Sequence, residues 1–391
     1  ESGVAPHVNG SAVGTNLNSV EFYDMERVEV LRGPQGTLFG RNATGGAINF
    51  VTRKPDFDGI DGFIDVEVGD YSHQRIKGAL NVPVSDNFAL RFAGMTLERD
   101  GYIDNRAYGQ VGTDGLTIPN IDDDLDGRDI TTFRVTAQWN ISDNSDLWVM
   151  YYDFDEDDDR VRISNQVCVQ QSVPVEGCLA DEFGFENPHL LTTTGGLFSA
   201  IFTGGALLPL ANTGPITHPK PADMDLRDQH TDFEPVFQDE EQLWAFGFNY
   251  DFDQYSFGLI GAYQEREYLQ RQDYLMDVGF SLPFPIPVSE PAGGAGDEWT
   301  NPNCNYLDGT AGAFGGCILD STDGSRVFAY DQSDSISEYW TLEAKVSSSF
   351  GGPFNFVVGA NTYVSEAYGD YYVLANTLET LGLYHGFFHN T

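Results

Sequence analysis

Met25-Glu-Arg-Val-Glu-Val-Leu-Arg-Gly-Pro-Gln-Gly-Thr-Leu-Phe-Gly-Arg-Asn-Ala-Thr-Gly-Gly-Ala-Ile-Asn-Phe-Val-Thr-Arg-Lys-Pro55 is the stretch on which the fold turns. It opens with a two-residue alternation: Val28, Val30 and Met25 on one side, with Arg27, Glu29 and Arg32 interleaved. Gly33-Pro34 then breaks the strand, because proline has no amide hydrogen and a fixed φ. Gly33, Gly36, Gly40, Gly45 and Gly46 mark turns or places where a side chain would not fit. Ala47-Ile-Asn-Phe-Val-Thr52 reads as a second strand. The unit is β-turn-β, with Arg32 and Arg41 projecting from it. The glycines do not make a phosphate loop: there is no G-x-x-x-x-G-K-[ST], and no helical apolar period follows them.

Charge divides the chain at the end of this stretch. Of 391 residues, 60 are acidic and 20 are Lys or Arg, a formal charge of −40. Residues 1–55 hold five acids and five bases, so the whole excess lies in 56–391. That split sets a domain boundary near Pro55 and argues against nucleic acid, which needs a basic stripe. With 28 Phe, 19 Tyr and 5 Trp the acidic part is no disordered tail. Residues 1–23 read as loop and an edge strand.

After Pro55 the texture is long alternating strands. Ile64, Val66 and Val68 form one apolar face; Ile76, Leu80, Val82 and Val84 form another, and Phe88, Leu90 and Phe92 a third. Further faces are Phe133 to Ile141, Trp244 to Tyr250, Tyr255 to Tyr263, Trp340 to Val346 and Phe354 to Ala360. Leu147-Trp-Val-Met-Tyr-Tyr152 is apolar on both faces, and makes the ninth strand. One apolar and one polar face suits either a soluble sandwich or a membrane barrel with lipid outside. Very short connections at 84–87, 141–145, 251–254 and 350–353 alternate with long ones near 101–128, 155–238 and 271–330. Tight turns at one end and long loops at the other are the outer-membrane barrel pattern. Trp139, Trp148, Tyr151, Tyr152, Tyr250, Tyr255, Trp340 and Phe354 sit where interfacial girdles are expected.

Other residues offer less chemistry. Cys168 with Cys178, and Cys304 with Cys317, fall pairwise within long loops, in neither C-x-x-C nor zinc spacing, and read as two local disulfides. Asp122, Asp124 and Asp126 before Gly127 resemble the start of a calcium loop, but Phe133 holds the place of the bidentate Glu. A structural divalent cation in the acidic loops is the one cofactor suggested. No Ser/His/Asp set or acid/base pair stands out.

The segment Glu29-Val-Leu-Arg-Gly-Pro-Gln-Gly-Thr-Leu-Phe-Gly-Arg-Asn-Ala-Thr-Gly-Gly-Ala-Ile-Asn49 resembles the C-terminal half of the plug domain of TonB-dependent outer-membrane receptors. More loosely, Glu338-Tyr-Trp-Thr-Leu-Glu-Ala-Lys-Val-Ser-Ser is similar to a barrel strand of that family. The resemblance implies a plug at 1–55 inside a transmembrane antiparallel β-barrel beginning at 56, with about 22 strands in the complete fold. Nine or ten strands cannot close around such a plug, so the sequence is expected to be a fragment, without signal peptide, TonB-binding segment or the remaining strands. It also implies active uptake of a scarce nutrient, foremost a ferric siderophore, energised by TonB, ExbB and ExbD. An oligosaccharide, haem or vitamin B12 is the alternative cargo. A passive porin or a soluble glycan-binding β-domain is the alternative class. Glu343 aligns with a barrel glutamate that pairs with plug arginines in the family, so a latch of Arg32 or Arg41 with Glu343 is expected. Tyr268, Tyr274, Phe280 and Trp299 are the expected loop aromatics for ligand contact.

Overall fold

The computed structural model describes residues 3–14, 21, 23–34, 43–112, 118, 122–162, 221, 223–273, 278 and 329–375, with 329, 330 and 373–375 as backbone only. Among the described residues the chain is all strand and loop.

Two bodies are built in order. The first is a four-stranded sheet: β1 (Val4–Val8), β2 (Ser11–Ala12), β3 (Met25–Arg32) and β4 (Gly46–Thr52), in the order β2-β1-β4-β3. β3 and β4 are the two strands expected from the glycine-rich stretch. β2 is the edge strand read in the first residues, whereas β1 lies inside the sheet, parallel to β4, with Ala5 to Val8 buried. Gly46 shows why the double glycine is there. A Cβ at this position would lie 2.3 Å from the Leu31 carbonyl oxygen, and its φ is +152°.

The second body is a nine-stranded antiparallel sheet. Its strands are β5 (Asp61–Val68), β6 (Gln74–Ser85), β7 (Phe88–Arg99), β10 (Arg128–Ser142), β11 (Ser145–Asp158), β13 (Val236–Phe252), β14 (Tyr255–Asp273), β15 (Ala329–Ser348) and β16 (Val357–Ala375). They pair in chain order, with β5 and β16 as edges. The four tight turns fall where the sequence places them, all at one end. The opposite end carries the long connections, together with one short turn at Gly69–His73. Between β7 and β13 the long connections contribute β8 (Ile103–Asn105), β9 (Asp124–Leu125) and β12 (Asp228–Gln229), a small three-stranded sheet that ties two connections together.

The faces decide between sandwich and barrel. Ile64 is 81% exposed and Trp340 55%, and the apolar row of each strand points away from the first sheet. The opposite rows, which point toward it, carry the buried polar residues Arg91, Arg134, Gln138, Glu241 and Gln264, and on β11 an apolar set instead. This is the transmembrane barrel arrangement, with its wall unclosed over the described strands.

β13 shows where the membrane ends. Its outward residues Trp244, Phe246, Phe248, Tyr250 and Phe252 are apolar, whereas Gln242, Glu240 and Gln238 beyond them are polar. The eight steps from Trp244 to Phe252 cover roughly 27 Å of strand, which at barrel tilt approaches the apolar band of about 25 Å. An aromatic row closes each end. Tyr151 lies 4.6 Å from Trp244, and Tyr263 4.7 Å from Trp340, between ring centroids. At the turn end Tyr250, Phe252 and Tyr255 stack in series, with Phe350 against Tyr255. The strands continue past the first row, so they run longer than the alternation suggested.

Two expected girdle residues are corrected. Trp148 and Tyr152 are buried on the inner face, packed with Met150, Phe154, Val8, Val13 and Tyr23. β11 is apolar on both faces because one meets lipid and the other meets the inner sheet.

Candidate functional site

The inner sheet is held in the curve of the wall by contacts that run from β6 to β15. Glu21 lies 3.5 Å from Arg75 on β6. The Ser11 hydroxyl donates to the Gly261 carbonyl at 3.3 Å, and the Gly14 amide to Gln264 Oε1 at 2.6 Å, both on β14. On β15 the Thr341 hydroxyl donates to the Ala12 carbonyl at 3.3 Å. Lys54, where the first body ends, sits 4.9 Å over the Trp148 ring.

The centre of this interface is Asp24. It precedes β3 in a left-handed conformation, φ +49°, that turns its side chain to the wall. Arg91 of β7 donates to both carboxylate oxygens, Nε to Oδ2 at 2.9 Å and Nη2 to Oδ1 at 2.5 Å. Arg134 of β10 donates from Nη2 to Oδ2 at 3.0 Å and to the Asp24 carbonyl at 2.9 Å. The three side chains are 1%, 2% and 4% exposed. Tyr23 completes the clasp: its hydroxyl meets Thr132 Oγ1 at 3.1 Å and its ring lies 5.3 Å from the Arg134 guanidinium. A buried carboxylate with bidentate and second guanidinium partners is charge-assisted on every oxygen. Above it, a cavity of about 30 Å³ lies between the two bodies, lined by Glu21, Arg134, Tyr152, Glu241 and Gln264 among others. This is the room one water needs.

The polarity is the reverse of the expected latch: the acid is on the inner sheet and the bases are on the wall. Glu343 shares the inward parity of Thr341, as the alternation implied, but its carboxylate is engaged by Lys345 at 2.6 Å. Arg32 ends β3, the outer strand of the inner sheet, and is exposed. Arg41, Gly36 and Gly40 lie outside the described residues, as do Tyr274, Phe280 and Trp299. Cys168, Cys178, Cys304 and Cys317 lie outside them too, so both expected disulfides, Cys168 to Cys178 and Cys304 to Cys317, fall beyond what the structure describes. Gly33 takes φ +84°, and the Gly45 amide donates to the Gly3 carbonyl at 2.7 Å.

The long-loop end of the wall carries a second set of buried charges. Arg266 donates to both oxygens of Asp239, at 2.6 and 2.7 Å, and Arg160 bonds Glu156. Arg162 reaches across to β14, where Nη1 donates to the Tyr268 hydroxyl at 2.6 Å and to Gln270 Oε1 at 2.5 Å. Tyr268 therefore lies on the lumenal face. Asp126 does not converge with Asp122 and Asp124 on a metal. Its Oδ1 accepts from Arg128 at 3.1 Å and from the Val161 amide at 3.0 Å, and no three acids, His or Cys are grouped for a metal among the described residues. Beside it, burial pushes the Asp158 and Asp159 carboxyls up to about 6 and draws the Arg160 guanidinium down to about 10.

Residues 2–47 match the family model "TonB-dependent Receptor Plug Domain". The pesticin receptor of Yersinia pestis is 43% identical over 103 residues, which is 25% of this chain and 15% of that protein. The chain belongs to the TonB-dependent receptors. The inner sheet is thus the plug and the nine strands are barrel wall, and the family is one of receptors, not enzymes. The fold agrees. The ferripyoverdine receptor of the Pseudomonas aeruginosa outer membrane superposes with a TM-score of 0.54 at 13% identity, over 94% of this chain and 37% of that one. The ferric preacinetobactin receptor of Acinetobacter baumannii gives 0.51 at 14%, over 95% and 40%. The chain spans well under two thirds of the length of these relatives. Asp24 was missed because nothing local marks it. The available signal was Arg91 and Arg134, two inward bases in a segment with only 15.

Proposed function

We propose that this chain is plug and wall of an outer-membrane receptor for active uptake of a ferric siderophore, driven by the TonB–ExbB–ExbD complex. The observation that carries this reading is the Asp24 clasp. It seats the plug against the wall by ion pairs and hydrogen bonds that can be broken and remade, as a movable stopper requires. Relatives named as siderophore receptors support the cargo. So does Arg162, a cation at the lumenal mouth whose hydrogen bonds go to the neutral Tyr268, Gln270 and Gln272, with Asp331 as its acidic neighbour. It suits the anionic oxygens of an iron chelate. The Arg32, Arg41 and Glu343 latch belongs to the same proposal, with Lys345 as the competitor that a plug arginine displaces. The test is growth of a strain lacking the full-length receptor on single ferric siderophores, with and without TonB. TonB-dependent growth restored by the receptor is the expected result; equal uptake without TonB contradicts it.

A further inference from the structure

Arg91 faces a second carboxylate, and this one belongs to the wall. In the register Asp61 of β5 stands opposite Asn81 of β6, and Asn81 stands opposite Arg91 of β7. Side chains directly opposite share a face, so the three form one inward row. Arg91 spends Nε and Nη2 on Asp24, and its Nη1 is buried without a hydrogen-bond partner among the described residues. That nitrogen lies 4.0 Å from Asp61 Oδ1, too far for a hydrogen bond. A buried donor left unmet is costly. A shift of about 1 Å would bring it to a carboxylate that is 52% exposed and free to move.

Asn81 keeps that carboxylate with the wall. Its side chain is fully buried and holds the chain that joins plug to barrel. Nδ2 donates to the Asp56 carbonyl at 3.1 Å and the Gly59 carbonyl at 2.9 Å, while Oδ1 accepts from the Asp56 amide at 3.0 Å. The anchored segment runs straight into β5. A plug that leaves its seat takes Asp24 with it and leaves Asp61 in place. Asp56, the other acid near Arg91, is already engaged: its Oδ1 accepts from Asn81 and from the Asp58 amide, each at 3.2 Å.

We propose that Asp61 is the receiving carboxylate of the clasp: when the plug unseats, Arg91 trades Asp24 for Asp61, and its charge stays paired in both positions of the plug. This rests on the reading of the plug as a movable stopper. A buried guanidinium stripped of its acid is strongly disfavoured, so a second acid within reach lowers the cost of release. The clasp becomes a two-state element in which the two carboxylates pull in opposite directions. Asp24 stabilises the seated plug and Asp61 the released one.

Hydrogen exchange of the full-length receptor in detergent, without TonB or cargo, reads spontaneous release of the plug. Asp61→Asn is expected to slow the amides of Val4–Val8 and Gly46–Thr52 about fivefold, the scale of one half-exposed ion pair. Asp61→Glu is expected to restore the parent rate. Asp65→Asn, on the same strand and face and paired with Lys77 at 3.1 Å, is expected to leave the plug amides within about twofold of the parent. Heat-dependent gel migration confirms that each barrel is folded, and Asp61→Ser serves if Asp61→Asn does not fold. Unchanged or faster plug exchange in Asp61→Asn, which a merely structural Asp61 predicts, overturns the proposal. So does equal slowing in Asp65→Asn, or no recovery in Asp61→Glu. Asp24→Asn, run alongside, separates the two readings. Faster plug exchange there, with no slowing in Asp61→Asn, sinks the partner switch alone; unchanged exchange there sinks the clasp as well.

Discussion

Asp24 of the plug and Arg91 of the wall, 67 residues apart in sequence, meet in a bidentate ion pair with Nε 2.9 Å from Oδ2, buried between the two bodies. Arg134 adds a second guanidinium to the same carboxylate. Removing the acid takes the shared carboxylate from two buried guanidiniums and leaves Arg91 only Asp61, at 4.0 Å. Asp24→Ala is expected to cost about 3–5 kcal/mol of plug docking. Limited proteolysis of the full-length receptor, cutting the plug faster than the wall, measures it.

Gly247 and Trp148 face each other on β13 and β11, and a Cβ on the glycine would lie 2.3 Å from the indole nitrogen. Gly247→Ala is therefore expected to push Trp148 toward Lys54 and to destabilise the protein by about 1–3 kcal/mol. Thermal unfolding in detergent gives the size, and Trp148→Leu in the same background should recover most of the loss.

Just beyond the outer aromatic row, acids stand directly opposite acids. Asp155 pairs with Glu240 and Glu240 with Glu267; Glu265 pairs with Glu338 and Glu338 with Glu366. Burial first, and neighbouring carboxylates second, push the Asp155 and Glu240 carboxyls upward. Like charges opposed across strands destabilise a sheet. Glu240→Gln is expected to raise stability by about 0.2–1 kcal/mol at low salt, and the gain should shrink as salt screens the parent. Melting temperatures at two ionic strengths check both statements.

The Asp159 carboxyl, mainly by burial, has a folded pKa of about 6 against about 3.9 unfolded. The folded state keeps its proton longer, so this group favours folding below about pH 4, and that contribution is lost as pH rises through about 6. Asp159→Asn is expected to flatten the pH dependence over that window by about 2 °C in melting temperature. Parallel slopes for parent and variant would remove the inference.

Much of this architecture is legible in the residues themselves. Period-two alternation places all nine wall strands, and Ser-Asp-Asn and Gly-Gly-Pro mark the tight turns, because both depend on local chemistry. Parity alone puts Glu343 on the lumenal side. What could not be read depends on the other body. Trp148 and Tyr152 turn inward because the plug is there to cover them. β13 runs on past Trp244, but Gln242 and Glu240 break the apolar alternation there and hide the strand. Asp24 has no local distinction, since its partners lie on β7 and β10. Glu343 meets Lys345, two residues away on its own strand and on the same face.

The most direct test of the clasp is hydrogen exchange of the full-length receptor and its Asp24→Asn variant. The plug amides of Val4–Val8 and Gly46–Thr52 should exchange roughly 10²–10³-fold faster in the variant, as a loss of about 3–5 kcal/mol requires, while the amides of β13 and β14 stay within about twofold. Unchanged exchange in both plug strands would show that the plug is not held by Asp24, Arg91 and Arg134.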